Sequence, residues 1–299
     1  MKLTRDNFGD LLTPIHKKVF FNAYGEVSEQ YSKIFQVEEM TKKQETFPHL
    51  GAFGLWDSNT EGNTINEDSI TQGNEATFTA VRYDKGYELT WELVQDDLYR
   101  VMKGIGKGGS AMALGNGLRK TIETQCAAVL SGGFTNTGYD GAALFSNSHP
   151  LADSSSYGDN LTTGALTDAN LKLGLTLMRN TVDEANVKIQ AVAKNLIVAP
   201  DNEWTALQIL KSVNEAGELS NNMNVLPRLN LIVLDFLPST AAAYWFLQDP
   251  SIENLKFMWR EKPMFDSEKI PKTVDYFCYG YARFDEGYAD YRGLVGSTG

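Results

Sequence analysis

A mixed α+β fold is what this sequence predicts, and three observations predict it. Residues 91–130 repeat their apolar side chains at the helical period, 166–250 switch between helical and strand-like patterns, and 255–295 are strand-like and aromatic. With 299 residues, 42% hydrophobic and 22% charged, the chain holds enough apolar material for one large domain or two modest ones, which excludes general disorder. Its 27 basic and 38 acidic residues leave a net charge of −11. A nucleic-acid binder that works through a broad basic surface is therefore excluded, while weak contact with nucleic acid is not.

The elements follow in order. Phe8, Leu11, Leu12, Ile15, Val19 and Phe20 are spaced as one face of an amphipathic helix, with His16 and Lys17 on the other side, and Tyr24-Gly25 punctuates it. Residues 1–45 thus read as an arm whose apolar face needs either its own core or a neighbour to lie on. Residues 46–75 are rich in Gly, Asn, Thr, Asp and Glu, with Phe53, Leu55, Trp56, Ile65 and Ile70 as isolated anchors, and are too long for an idle loop. Ala76–Tyr83 alternates as a strand, Asp84-Lys85-Gly86 reads as a turn, and Tyr87–Thr90 as the return strand of a hairpin. The long helix over 91–130 carries six glycines, at 104, 106, 108, 109, 115 and 117, so a break near 104–109 is expected. After a polar connector over 131–165 come a helix over 167–183 capped by Thr167, a strand over 187–199, a helix over 201–214 and a strand over 225–236.

Candidate chemistry is sparse. Gly104-Ile-Gly106-Lys-Gly-Gly109 fits the dinucleotide fingerprint in letters, but a charged helix precedes it where the motif requires a strand. Asp57-Ser-Asn59-Thr-Glu61-Gly62 with Asp68 imitates a calcium loop, yet Thr64 stands where an apolar anchor belongs and Asp68 where Glu would chelate with both oxygens. Asp140 and His149 could be drawn into a triad with a nearby serine, but no G-x-S-x-G elbow is present, and turn chemistry or a loop-pinning hydrogen bond suits His149 better. The three histidines, His16, His49 and His149, form no metal-binding pair. Neither a cofactor, a metal nor a catalytic residue is assigned. Cys126 and Cys278 are either two buried thiols or one bridge. The apolar run 240–247 is far short of a membrane span, and charges break up the N-terminal stretch where a signal peptide would need its apolar core, so a soluble product without membrane contact is expected.

The order of features carries more than any one of them. An amphipathic arm, a projecting Gly/Asn-rich segment, strands, Gln95-Asp-Asp-Leu-Tyr99 opening a long helix, Ser131-Gly-Gly-Phe134, Tyr139-Asp-Gly-Ala-Ala-Leu-Phe145 and His149-Pro150 follow in series, with Lys194-Asn-Leu-Ile-Val-Ala-Pro200 further on. This series resembles the major head subunits of Mu-like tailed phages and prophages, within the Johnson-type capsid fold that tailed-phage shells share with encapsulins. The resemblance implies an N-terminal arm (1–45) lying on a neighbour, an extended loop and hairpin (46–90), a peripheral domain with a long spine helix (91–165), an axial domain (166–250) and C-terminal strands returning to the subunit body (251–299). It implies a capsid protein that self-assembles, as hexamers and pentamers, into an icosahedral head enclosing double-stranded DNA. Assembly would take place in the bacterial host cytoplasm, and the product would be the virion shell. Relatives that crosslink their extended loop do so through a lysine, and here none occurs between Lys43 and Lys85. By the resemblance, no room is expected ahead of the arm for the long scaffolding segment that some relatives carry, so a separate scaffolding protein is implied, beside a portal and with room for a cement protein.

The residues expected to make subunit contacts are Phe8, Leu12, Phe20 and Tyr24 in the arm, and Trp56, Ile65 and Ile70 in the loop. Two rivals stand beside this reading: an encapsulin-type compartment, and a small-molecule enzyme using Asp140 and His149.

Overall fold

The computed structural model describes residues 9–70, 72–90, 92, 96, 109–151, 156–212, 226, 229–273 and 275–299, with backbone only at 9–13 and 15. The helix α1 spans Gly9–Glu26, β1 Gln36–Glu39, β2 Gln44–Leu50, β3 Gln72–Thr79, β4 Val81–Leu89 and the helix α2 Ser110–Ser131. Short strands β5 (His149–Pro150), β6 (Tyr157–Gly158) and β7 (Leu161–Thr162) lead to α3 (Asp168–Arg179), β8 (Asn195–Val198), α4 (Glu203–Lys211) and β9 (Asn230–Val233). The chain ends with β10 (Trp245–Gln248), β11 (Leu255–Lys269), β12 (Tyr276–Tyr288) and β13 (Leu294–Ser297).

The aromatic tail supplies the frame. β11 and β12 pair antiparallel from Leu255↔Tyr288 to Lys269↔Tyr276, with register irregularities between Trp259 and Met264, where Pro263 cannot donate to the ladder. β1 joins β11 in parallel and β4 joins β12 antiparallel, so the sheet order is β1-β11-β12-β4. One face of this sheet presents Phe257, Ala282 and Phe284 to Ile122, Cys126 and Leu130 of α2, and the 3.6-residue period of those apolar positions is why the segment is helical. Gly115 and Gly117 sit inside α2 without breaking it. A Cβ at Gly115 would stand 2.4 Å from the Phe20 carbonyl oxygen, so that glycine is the point where α1 crosses α2 in backbone contact.

The expected hairpin at 76–90 does not form. β3 pairs with β2 and β4 with β12, so the two strands belong to different sheets, joined at Ala80. Asp84, Lys85 and Gly86 lie in mid-strand opposite Tyr281, Gly280 and Tyr279. The glycine serves close approach instead of a turn, because a Cβ there would lie 2.6 Å from the Phe277 ring. Residues 44–50, assigned no structure from sequence, form β2, with alternate side chains half-buried. The first part of the expected long helix and the glycines 104–108 lie outside the described residues.

The second layer is a five-stranded sheet in the order β7-β13-β10-β8-β9. It packs Leu196, Val198, Trp245 and Leu247 against Leu171 and Met178 of α3 and Ile209 of α4. Thr167 caps α3 as expected, its hydroxyl accepting from the Asn170 amide at 3.2 Å. The strands expected over 187–199 and 225–236 shrink to four residues each; Asn186 and Gln190 hold positive φ angles, which interrupts extended backbone before β8. β13 does not return to the first sheet but inserts between β7 and β10.

Candidate intersubunit surface

A two-stranded ribbon, β2 paired with β3, carries an apolar tip. Phe78 of β3 is buried with Met40, Ala76, Met258 and Ala289, and Phe47 of β2 meets it edge-on at 5.5 Å. The Lys256 ammonium lies 4.5 Å from the Phe47 ring centre and pairs with Glu38 and Glu253, so β2 is seated by charge as well as by packing. Farther along β2, the His49 ring stacks on Tyr139 and its Nε2 lies 2.5 Å from the Ala289 carbonyl oxygen. At the inner end of β3, the Thr79 amide donates to Asp285 Oδ2 at 2.6 Å.

Beyond this root, residues 51–70 have no helix or strand but brace themselves. Gly54 N donates to Asp68 Oδ2 at 3.0 Å, Asn59 Nδ2 to the Thr64 carbonyl at 2.7 Å and Asn66 Nδ2 to Asp57 Oδ2 at 3.4 Å. Asp57, Asn59 and Asp68, drawn in sequence as calcium ligands, are engaged in these bonds. Among the described residues no group of three or more His, Cys, Asp and Glu side chains is placed to hold a metal ion.

From this braced loop Trp56 stands 97% exposed and Ile65 88%, with Leu50, Phe53, Leu55 and Ile70 also exposed. Large apolar side chains left open together on one segment are the material from which association sites are built. Burying Trp56 alone removes roughly 150–250 Å² from water, worth about 4–6 kcal/mol before ordering costs. Leu50, Phe53 and Leu55 are less open than Trp56 and Ile65 but more open than Ile70.

The arm residues are placed differently. Phe8 and the side chain of Leu12 lie outside the described residues. Phe20 is fully buried, 5.3 Å ring to ring from Phe265 of the same chain, and Tyr24 lies half-buried under the Arg119 guanidinium at 4.0 Å. The Glu123 carboxylate accepts the Gln30 and Tyr31 amides at 3.0 Å each, and Gln30 exchanges two hydrogen bonds with Asp235. Within the subunit, α1 and its sequel are therefore seated on their own α2.

Sequence reasoning also passed over two exposed apolar residues of the second layer, Leu173 on α3 and Trp204 on α4. The buried stripes of these helices are Leu171, Leu175 and Met178, and Ala206, Ile209 and Leu210. Both residues fall off those stripes, which is the signal that could have found them.

Asp140 and His149 do meet, but in the core. His149 is fully buried and stacks on Tyr291 at 3.6 Å; its Nδ1 lies 2.6 Å from Asp140 Oδ2 and its Nε2 3.2 Å from Asn160 Oδ1. Asn160 in turn holds the Ser146 amide and the Leu144 carbonyl, so its amide orientation is fixed. Both imidazole nitrogens face acceptor oxygens and, among the described residues, neither faces a hydroxyl nucleophile, so the arrangement pins the connector. Cys126 and Cys278 are both buried and free.

A family model described as phage capsid protein matches residues 74–297. The chain belongs to the phage capsid protein family. Solved structures agree on the fold. The cyanophage P-SCSP1u capsid superposes with a TM-score of 0.60 at 12% identity, covering 91% of this chain and 90% of that one. The mature capsid of bacteriophage PhiM1 gives 0.62 at 9% identity, covering 88% and 84%. A virus-like particle from Pyrococcus furiosus gives 0.56 at 10% identity, covering 95% and 98%, so fold likeness alone does not choose between kinds of shell; the family match does. No curated protein matches the chain by sequence. The α+β fold is thus of the Johnson type, and the protein is a major capsid protein of a tailed phage, a structural component of the virion shell that associates with its own copies. The encapsulin-type compartment is not favoured.

Proposed function

We propose that this capsid protein assembles as hexamers and pentamers into an icosahedral head around double-stranded DNA, with the 51–70 loop of each subunit docking on its neighbour. The observation that carries this reading is the loop itself: a self-braced apolar tip, Trp56 97% exposed, held out on a ribbon whose root is buried. Ile65 and Ile70 dock beside Trp56. Of the arm, Phe8 and Leu12 reach a neighbour, while Phe20 and Tyr24 hold α1 on its own body so that the arm leaves from a fixed point. Leu173 and Trp204 of the second layer face other copies around the five-fold and six-fold positions.

The order of sequence motifs supports a place among Mu-like heads. With no lysine between Lys43 and Lys85, the loop is held without a lysine crosslink of its own. Stability then comes from many weak contacts multiplied by symmetry. A separate scaffolding protein and a portal act with the subunit during assembly in the host cytoplasm, and a cement protein has room to bind outside. The net charge of −11 suits a wall that touches packaged DNA only weakly. The double substitution Trp56→Ala with Ile70→Ala tests the loop: the variant keeps the wild-type circular dichroism but forms no shells under conditions where wild type does. Normal shells from the double variant would remove the loop from the assembly mechanism.

A further inference from the structure

We propose that the Glu286 carboxyl, with the cavity it lines beneath β3, is a proton-sensitive hinge that sets how firmly the β2–β3 ribbon is seated on the subunit body. The cavity holds about 350 Å³ between Glu75 and Phe78 of β3, Tyr139 of the connector, and Asp285, Glu286 and Tyr288 of β12. Glu286 Oε2 and the Tyr288 hydroxyl are buried there without a hydrogen-bond partner among the described residues. The residues of β12 on either side of Glu286 touch the ribbon root at this place. Asp285 accepts the Thr79 amide, one residue before the Ala80 joint; Glu286 lines the cavity; and Gly287 lies under the Phe78 ring, where a Cβ would stand 3.1 Å away.

Among the described residues no cation is placed to offset a charge at this site. The titratable groups around Glu286 are Cys126 of α2, Tyr83 of β4, Glu75 of β3, Tyr139, and Asp285 and Tyr288 of its own strand; β11 places Phe257 opposite. Among its described residues the cavity is lined by three carboxyl groups and by neither lysine nor arginine. Protonated, Glu286 is a neutral group that tolerates burial. Ionised, it becomes a charge among acids with only its own backbone amide as a partner, and the further relief open to it is water, admitted when β3 lifts. Burial first, and the Asp285 charge second, push the Glu286 carboxyl up to about 8, so the change falls at mildly alkaline pH.

The inference rests on reading the ribbon as the lever that engages a neighbour, but its test uses unassembled subunits and so does not depend on shell formation. Hydrogen exchange is followed by mass spectrometry from pH 6 to 9.5, with times corrected for the intrinsic pH dependence of exchange. In the wild type, protection of residues 44–50 and 72–79 falls by about tenfold or more while that of β8 and β10 holds; in Glu286→Gln the ribbon stays equally protected throughout. Unchanging ribbon protection in the wild type, or the same fall in Glu286→Gln, overturns the proposal. Should Glu286→Gln fail to fold, carbon NMR of the labelled wild-type carboxyl decides instead. Titration near pH 8 supports the hinge, and titration in the ordinary glutamate range contradicts it.

Discussion

At the scale of single residues, the molecule places polar groups where they lock backbone. His149 bridges Asp140 and Asn160 in full burial. His149→Ala leaves a buried carboxylate without its donor, and urea denaturation should show a loss of about 3–5 kcal/mol. Gly115→Ala forces α1 away from α2 and should cost about 1–3 kcal/mol in the same assay, since the added methyl would stand 2.4 Å from the Phe20 carbonyl oxygen. The Glu286 carboxyl makes stability pH-dependent with a definite sign. Its folded value of about 8 lies above the ordinary 4.5, so between these the native state holds a proton the unfolded chain has lost. Stability therefore falls as pH rises through that window, with a slope approaching 1.4 kcal/mol per pH unit, and Glu286→Gln flattens the slope. The loop-pinning role of His149 was legible from its place before Pro150. Gly86 was not, since a strand glycine admitting the Phe277 ring and a turn glycine look alike in sequence. The orphaned oxygen of Glu286 depends on α2 and β3 closing over β12, which no local pattern encodes.

At the scale of elements, local periodicity shows where a strand or helix lies but not what it pairs with. Alternation marked 76–83 as extended, but not that the stretch divides at Ala80: 76–79 pair with β2, a strand whose alternation is masked by Pro48 and polar outward residues, and 81–83 pair with β12. The turn-like Asp84-Lys85-Gly86 then suggested a hairpin that the aromatic ladder of β12 overrides. The helix α2 was legible because its apolar period is long, and its inner glycines are accommodated by contact with α1. The exposure of Trp56, Ile65 and Ile70 was legible because large apolar residues in polar, aperiodic sequence have no core face to join. Their exposure leads to a prediction at this scale. Trp56→Ala alone should raise the protein concentration needed for assembly by about tenfold or more, read by light scattering, with no change in the thermal unfolding of the free subunit. Trp204→Glu on α4 should likewise block assembly without unfolding the subunit, because Trp204 is 77% exposed and touches nothing its own core needs.

At the scale of the whole molecule, two layers share one chain in a way that suits a building block. The first sheet and α2 form a body that carries the ribbon, and the second sheet takes its fifth strand, β13, from the chain's end, tying both layers together. The exposed apolar side chains of the loop and of the second layer fit a protein whose work, as proposed, is association. Size-exclusion chromatography with light scattering on the purified protein, with negative-stain images of the earliest fraction, tests this most directly. Closed shells, or rings of five and six subunits, are the predicted result. A monodisperse monomer or dimer that persists at high concentration and with the scaffolding protein added would contradict it.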